Sequence, residues 1–600
     1  MKKLLSVFLV ALMATSLAAC GTSGGSAVSD KELVVGTFDM NGDFLPSEGF
    51  GNSSYDKNIR DLIHGYSPTA FTPDGEFVID ETVVKEFEKK VNEAGDTEYT
   101  FTINDLKWSD GEPVTASDYM FSLLLIASPQ TAAAGCADAT GENFVGYADY
   151  FSGASEYFKG IKMMDDKTFS FTIAKEKLPY FWEYSWLRIQ PFPMHVLAKD
   201  GKVVSDENGA KFEGDMAAAV QIFANDYRYA PTVSSGPYKF ISFENGQVKV
   251  ELNENFSGNF AGKKPSIKTI IAKTVNATID IDTLINGETD IIQGVVEGDK
   301  IEKAKATDTV QESTYPRNGY GNVPMHNDFG ATKEKEVRHA IAFVLDKDEL
   351  IQNILGGYGT AVNSDYGQAS WTYQAKKAEI EATLVNYALS IDKANAELDK
   401  SSYKFESDGV TPWDVNKAAD GYWRYNSAGE ELRINHLGTN DNPVTDTIEI
   451  QFQQNGPKVG MHVTIERTDF AGLMDGYYYA GAKPDSERKY NTFNMATGFA
   501  DANDPYENYY SAFAKTPKNP TNTNSPELDD VMLRLRATDA ENTEDFANIW
   551  LEYIQLWNDL LPVVPIYANQ YYDFADADLE GFKTTPFASW AQIICDLSWK

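Results

Sequence analysis

Apolar and polar residues alternate with a period of two in two segments near the start of the chain. Residues 99–103 and 169–173 each place an apolar side chain at every second position, which predicts strands with one buried face. Residues 33–38 are almost entirely apolar and predict a buried strand. A hairpin is expected around Asn245-Gly246, because this pair favours a two-residue turn.

Other segments carry apolar residues at the spacing of a helix. Thr115 and Asp118 fit a capping box, and a largely apolar helix is expected over 119–127. Residues 333–345 place their apolar side chains on one face, and 541–561 form the longest helical pattern. Because strands and helices are mixed along the whole chain, the pattern predicts an α/β or α+β class.

Three segments lack this periodicity and are rich in glycine, proline, asparagine and serine: 41–55, 401–425 and 515–526. They predict surface loops, and we expect 516–526 to be an exposed excursion. The chain of 600 residues is too long for one hydrophobic core, so about three or four structural units are expected.

The first residues have the pattern of an export signal. Two lysines are followed by an apolar run over 4–17, which is shorter than the ~20 residues of a membrane-spanning helix. The sequence Leu-Ala-Ala-Cys ending at Cys20 resembles a bacterial lipobox. This resemblance implies a signal peptide over 1–19, lipidation of Cys20 and a flexible leash over 20–30. A plain secretory signal with a chance cysteine is the alternative.

Charge and cysteine content exclude several classes of protein. The formal net charge is −37, so nucleic acid is not an expected partner. The chain has three cysteines, too few for a scaffold built on disulfides. We interpret Cys136 and Cys595 as two separate structural thiols, and a disulfide between them is the alternative.

Motifs of catalysis are missing from the sequence. There is no H-E-x-x-H, no C-x-x-C and no complete phosphate-binding loop, and the calcium-loop pattern that begins at Asp501 fails at its glycine and its final glutamate. We therefore expect a binding protein without enzymatic activity, cofactor or metal ligands.

Five ordered motifs resemble the family 5 extracellular solute-binding proteins, the receptors of oligopeptide, dipeptide and nickel ABC importers. These motifs are YTFTINDLKWSDGEPVTASD at 99–118, GPY at 236–238, NGETD at 286–290, VRHAI at 337–341 followed by Asp346-Lys347, and GGYGT at 356–360.

The resemblance implies a two-lobed α/β fold of the periplasmic-binding-protein type, with ligand enclosed between the lobes. The core of the first lobe would comprise 31–70, 235–305 and 566–600. An inserted subdomain would cover 71–234, and the second lobe 306–565.

The resemblance also implies ligand-binding residues. Gly498-Phe499-Ala500-Asp501 and the Asn-Asp-Pro after it are similar to the motif whose aspartate takes the α-amine of a peptide, and Asp501 falls at that position. Gly498 and Phe499 would border the first residue of the peptide. Asp501 acting as a turn or helix cap is the alternative, and Asp504 is the rival carboxylate.

A loop before the first helix completes the candidate site. In the family this loop adds the peptide as a strand through backbone groups, and it would here include Asn52 and Ser53. Arg317, Arg424 and Arg433 are candidate cations for the peptide carboxylate, although each is better interpreted as a surface residue.

The function implied is a monomeric lipoprotein that captures oligopeptides by lobe closure and delivers them to the permease of an ABC importer. It would be anchored to the bacterial membrane through Cys20 and would face the outside or a periplasm. An oligosaccharide or a nickel complex is the alternative solute.

Overall fold

The computed structural model describes residues 28–51, 53–440 and 442–600. Cys20, the predicted signal and leash up to residue 27, and Asn52 lie outside this part of the chain. Within the described residues no helix has the length and apolar character needed to cross a membrane.

Most predicted strands are present, with bounds that differ by a few residues. The strands are β1 Leu33–Thr37, β2 Thr69–Phe71, β3 Phe77–Ile79, β4 Val84–Val91, β5 Thr97–Ile103, β6 Ile161–Met163, β7 Thr168–Ile173, β8 Lys202–Asp206, β9 Gly209–Glu213, β10 Tyr238–Glu244, β11 Gln247–Leu252, β12 Thr269–Thr274, β13 Ile291–Val295, β14 Val310–Pro316, β15 Gly319–Pro324, β16 Gly359–Ala361, β17 Arg433–Thr439, β18 His462–Thr468, β19 Thr492–Phe493, β20 Met495–Gly498, β21 Val563–Asp576, β22 Leu579–Glu580 and β23 Ser598–Trp599.

Helices are present at the three predicted segments and at further positions. They are α1 Ser54–Ile63, α2 Ala116–Ile126, α3 Pro129–Ala133, α4 Tyr147–Phe151, α5 Glu183–Trp186, α6 Met194–Leu197, α7 Met216–Gln221, α8 Asp280–Ile285, α9 Gly298–Lys305, α10 Lys335–Phe343, α11 Lys347–Leu355, α12 Trp371–Thr383, α13 Ile391–Leu398, α14 Pro443–Asn455, α15 Phe470–Met474, α16 Tyr506–Tyr509, α17 Pro526–Arg536 and α18 Thr543–Leu560.

The described strands form one large sheet and several small ones. The large sheet has the order β10-β11-β12-β1-β13-β21-β15-β20, and β14 and β16 also pair with β21. A second sheet has the order β4-β5-β7-β6, and a third has the order β18-β17-β19. Helices pack beside these sheets, as expected of a chain in which both elements alternate.

Strand β21 passes from one half of the molecule to the other. Its first residues pair with β15, where Val563 lies opposite Pro324. Its last residues pair with β13 and β14, where Asp576 lies opposite Val310. Since β13 lies beside β1, this strand connects the start of the chain with its later segments.

The hydrophobic core is divided among separate clusters. One surrounds Trp108 and the sheet that contains β5, another surrounds Leu33 and β1, and a third surrounds Trp557 on α18. The third cluster also includes Tyr180–Trp182 of the predicted inserted subdomain. We use the predicted ranges 71–234 and 306–565 below as the inserted subdomain and the second lobe, and their bounds stay a prediction.

The expectation of an exposed excursion at 516–526 holds for residues 516–518 but is wrong for most of 519–525. Asn519 is completely buried, and Thr521 and Asn522 are almost so. The Asn519 amide donates to the carbonyl oxygens of Tyr509, Tyr510 and Thr523 at 3.3, 3.2 and 2.9 Å. A loop with this composition can be buried because its side chains satisfy the backbone groups that a loop leaves unpaired.

The two later cysteines do not form a disulfide. Cys136 is buried and Cys595 half-buried, and both are free thiols. This arrangement agrees with the interpretation of two separate structural residues.

Candidate functional site

Asp501 lies just beyond the end of an edge strand. Strand β20 pairs antiparallel with β15, placing Gly498 opposite Gly319. The backbone N–H of Phe499 donates to the carbonyl oxygen of Asn318 at 2.9 Å, and the Asn318 amide donates to that of Phe499 at 3.3 Å. These bonds hold the chain in register up to two residues before Asp501.

The Asp501 carboxylate lies in a cleft between the second lobe and the start of the chain. Its side chain is 54% exposed, and its Oδ2 lies 3.9 Å from Nη1 of Arg188. Burial by the surrounding protein raises the pKa of Asp501, and the charges of Arg188 and Lys57 oppose this rise. The carboxylate is therefore accessible, partly desolvated and only weakly paired.

The rival carboxylate is used within the fold. The Asp504 side chain is 7% exposed, with Oδ2 3.0 Å from Nη1 of Arg536. Its Oδ1 accepts the backbone N–H of Tyr506 at 3.1 Å, which is the turn contact that Asp501 was also considered to make. Burial raises the pKa of Asp504 to about 6, with Arg536 opposing.

A large cavity of about 400 Å³ is lined by residues of both β20 and its neighbour β15. Gly498 and Phe499 form part of its wall, beside Asp504. The rest of the wall is mainly tyrosine and small polar residues: Tyr180, Tyr320, Tyr477, Tyr478, Tyr509, Asn322, Thr497, Asn503, Asn508 and Thr521. This mixture of aromatic rings and polar groups suits ligand groups of varied chemistry.

A second, narrow cavity of about 40 Å³ adjoins Asp501 itself. Its wall includes Gly75 and Phe587 from one side and Asp365 and Phe499 from the other. Phe499 therefore contributes to both cavities, with its ring centroid 5.8 Å from that of Tyr320. Asp501 and Phe499 both lie in the wall of this second cavity.

The inserted subdomain is docked on the second lobe next to this site. The Trp182 indole donates to the carbonyl oxygen of Asn503 at 3.2 Å. Phe181 stacks on Phe546 with 3.6 Å between ring centroids, and its N–H donates to the carbonyl oxygen of Arg536 at 2.9 Å. The cleft around Asp501 is therefore closed on one side by residues 181 and 182.

Helix α1 also lies near Asp501. Ser53 is its N-cap, and the Ser53 hydroxyl accepts the backbone N–H of Asp56 at 3.5 Å. This contact orients the helix that carries Lys57 and Asp61, whose charges both act on Asp501. Asn52, the other loop residue predicted to bind ligand, lies outside the described residues.

The three candidate arginines in the second lobe are not grouped around the cavities. Arg424 is 1% exposed and paired with Asp399 at 2.8 Å, so interpreting it as a surface residue was wrong. Arg433, the first residue of β17, pairs with Glu431 at 3.0 Å. Sequence reasoning missed Arg188, because no motif marks a single arginine of the inserted subdomain that reaches the second lobe.

Comparison with known proteins gives a family and a fold. The model of the bacterial extracellular solute-binding proteins, family 5 Middle, matches residues 85–520. The oligopeptide-binding protein OppA of Lactococcus lactis subsp. cremoris (strain SK11) is 22% identical over 502 residues, which cover 76% of this chain and 75% of that protein.

Solved structures show the same fold at low identity. Lactococcal OppA, complexed with an endogenous peptide in the closed conformation, superposes with a TM-score of 0.61 and 18% identity, covering 95% of this chain and 100% of that one. NikZ from Campylobacter jejuni, in complex with Ni(L-His), superposes with a TM-score of 0.60 and 17% identity, covering 95% and 100%. The predicted two-lobed α/β fold is confirmed. The chain belongs to the bacterial extracellular solute-binding proteins of family 5.

Proposed function

We propose that this protein is the oligopeptide receptor of an ABC importer. The observation that carries the proposal is Asp501, an accessible carboxylate in the cleft between the lobes whose side chain makes no hydrogen bond to any described residue. An ammonium group entering the cleft would pair with it there, where desolvation strengthens a charge-assisted hydrogen bond. Relatives named as oligopeptide-binding proteins support this cargo.

The edge of β20 supports recognition of a peptide backbone. β20 is the last strand of the large sheet, and none of the described strands pairs with its outer side. Met495–Gly498 of this strand line the large cavity, together with Tyr320 and Asn322 of β15. An extended peptide held by Asp501 at its amine would add to this edge as a strand, a mode that binds main-chain groups whatever the side chains are.

Capture would proceed by closure of the two lobes. Ligand contacts on both sides of the cleft favour the closed form, and the ligand shifts the equilibrium by its preference for that form. The contact of Trp182 with Asn503 would belong to the closed form. Strand β21, which passes between the halves, is part of the connection about which they move.

Delivery to the membrane completes the proposal. The closed receptor would dock on the permease subunits, and ATP hydrolysis would belong to a separate subunit because this sequence has no complete phosphate loop. Lipidation of Cys20 would anchor the protein, as a monomer, on the outer face of the bacterial membrane. An oligosaccharide or nickel complex would use the same closure but would not depend on Asp501.

Calorimetry with two tetrapeptides tests the proposal. The mature chain should bind tetra-alanine, and acetylation of the peptide amine should weaken binding about tenfold or more, because an ion-paired hydrogen bond contributes roughly 1.5–3 kcal/mol. In Asp501→Asn the two peptides should bind alike. Failure of the unmodified chain to bind any peptide, with a sugar or metal complex found by native mass spectrometry, would overturn peptide capture.

A further inference from the structure

A charged cavity of about 180 Å³ is lined by residues of helices α1 and α2 and of the segment 188–192. Three basic residues reach it: Lys57 and Arg60 of α1, and Arg188 of the inserted subdomain. Arg188 also borders an adjoining cavity of about 320 Å³. Arg188 and Lys57 act on Asp501 by their charge, but the proposed binding of an amine does not explain why Arg60 and Arg188 line one cavity.

Arg60 is a buried guanidinium with incomplete hydrogen bonding. Its side chain is 5% exposed, and its Nη1 lies 3.7 Å from a carboxylate oxygen of Glu48, too far for a hydrogen bond. Its Nη2 donates to the carbonyl oxygen of Gly51 at 3.2 Å. Nε and Nη1 have no hydrogen-bond partner in the described part of the chain. A buried guanidinium in this condition is costly unless an anion completes its bonding.

Arg188 is the accessible cation of the same cavity. Its side chain is 33% exposed, and its ion pair with Asp501 is long, at 3.9 Å. No hydrogen bond of the guanidinium joins it to another described side chain. Its planar group of five donors therefore remains available for bidentate binding of a carboxylate.

The acidic residues of the cavity do not bond to either guanidinium. Asp61 pairs with Lys57 at 2.7 Å. Asp138 accepts the Ser47 hydroxyl at 2.5 Å and the backbone N–H of Thr140 at 2.8 Å. Glu48 is 55% exposed and can turn toward solvent. Neither guanidinium thus has a carboxylate bonded to it at hydrogen-bond distance in the described structure.

We propose that this cavity binds a carboxylate of the ligand, and that the receptor prefers peptides whose first residue is acidic. The inference rests on the proposed function and deepens it. Arg188 lies beside Asp501, so a carboxylate bound there is next to an amine held by Asp501. The incoming amine replaces Arg188 as the partner of Asp501, and Arg188 then pairs with the acidic side chain of the peptide. Glu48 turns away from Arg60 to leave room for this side chain.

The overall charge of the protein makes such a preference diagnostic. With a formal net charge of −37, the protein as a whole repels an acidic peptide. A preference for the acidic peptide therefore has to come from cations close to the site. The peptides Asp-Ala-Ala-Ala and Asn-Ala-Ala-Ala have the same shape and differ in this one charge.

Titration calorimetry with these two peptides measures the preference. The unmodified mature chain should bind the Asp peptide about ten- to hundredfold more tightly than the Asn peptide. In Arg188→Met this ratio should fall close to one, and in Glu48→Gln it should rise. Arg467→Met is the matched control, because Arg467 has the same side-chain exposure of 33% on a distant strand, β18, and its loss should leave the ratio unchanged.

The outcomes separate this inference from the proposed function. Equal affinities in the unmodified chain, or a ratio that Arg188→Met retains, would overturn the acidic preference while peptide binding stands. If neither peptide binds, the proposed function fails and succinate replaces the peptides in a saturation-transfer NMR experiment. Succinate binding that Arg188→Met abolishes would then support the anion site, and absent or unaltered binding would overturn it.

Discussion

The Trp182 indole N–H donates to the carbonyl oxygen of Asn503 across 3.2 Å, and this bond joins the inserted subdomain to the loop that carries Asp501. The indole ring also packs edge-on against Phe546, with 5.5 Å between centroids. One side chain thus contributes a directional bond at the site and apolar contact in the core of the second lobe. The two contributions are separable by substitution.

Replacing Trp182 with phenylalanine should weaken the closure of the two lobes more than it lowers the stability of the fold. The smaller ring keeps apolar contact but cannot donate to Asn503, and a neutral hydrogen bond contributes about 1 kcal/mol. We expect peptide affinity to fall about fivefold and the radius of gyration of the ligand-free protein to increase. Calorimetry and small-angle X-ray scattering measure these effects.

Trp423→Phe is the control for this substitution. Trp423 stacks on His462 with 4.7 Å between centroids, in a part of the second lobe away from the cavities described above. The same chemical change there should leave affinity and radius of gyration unaltered. If Trp182→Phe behaves in the same way as the control, its bond to Asn503 does not contribute to closure.

Asp504→Asn tests which carboxylate receives the peptide amine. Asp504 is buried and paired with Arg536, so we expect the variant to retain the preference for a free amine over an acetylated one. Asp501→Asn should lose that preference. The ratio of the two peptide affinities is the measurement, because it cancels any general effect on the cavity that Asp504 borders. Loss of the preference in Asp504→Asn alone would make Asp504 the anchor.

Local signals in the sequence predicted the elements well. Thr115 and Asp118 form the capping box, in which the backbone N–H of Thr115 donates to Asp118 at 2.9 Å. Asn245 and Gly246 both have positive φ, 53° and 73°, as the predicted two-residue turn requires. In both cases the local structure is set by residues that are neighbours in the sequence, so the sequence pattern is enough to predict it.

Distant contacts set the limit of that reasoning. β21 extends over Val563–Asp576, because four other strands pair along its length. Asp501 was predicted from a motif and lies in the cleft. Arg188 and Trp182 reach it from more than 300 residues earlier in the chain, a separation that neither periodicity nor a local motif reveals.

Lys347 should make the stability of the fold depend on pH. It is buried, and its ammonium donates to the carbonyl oxygen of Val362 at 2.8 Å and to the Asn363 side chain at 2.9 Å. Desolvation lowers its pKa from 10.5 to about 7. A base whose pKa is lower in the folded state destabilises the fold as pH falls from the unfolded value towards the folded one, and adds no further change below it.

The measurement is the difference in unfolding free energy between Lys347→Met and the unmodified chain. This difference should shift in favour of the variant by roughly 3 kcal/mol between about pH 9.5 and pH 7, since each pKa unit corresponds to about 1.4 kcal/mol. Lys333→Met, at an exposed position, should show no such shift. Urea unfolding at both pH values measures this shift. If the unfolding free energy difference changes equally with pH for the two variants, the lowered pKa of Lys347 is contradicted.

Asn519 should be among the polar residues on which stability depends most. Besides its three donated bonds, its Oδ1 accepts the backbone N–H of Thr523 at 3.1 Å and the Thr521 hydroxyl at 3.0 Å. Asn519→Ala leaves these buried groups without partners, and we expect a loss of about 2–3 kcal/mol in unfolding free energy. Asn524→Ala changes an exposed asparagine of the same segment and should cost less than about 0.5 kcal/mol. Urea denaturation of both variants compares them, and a similar small loss for each would mean that water replaces the Asn519 amide in the segment.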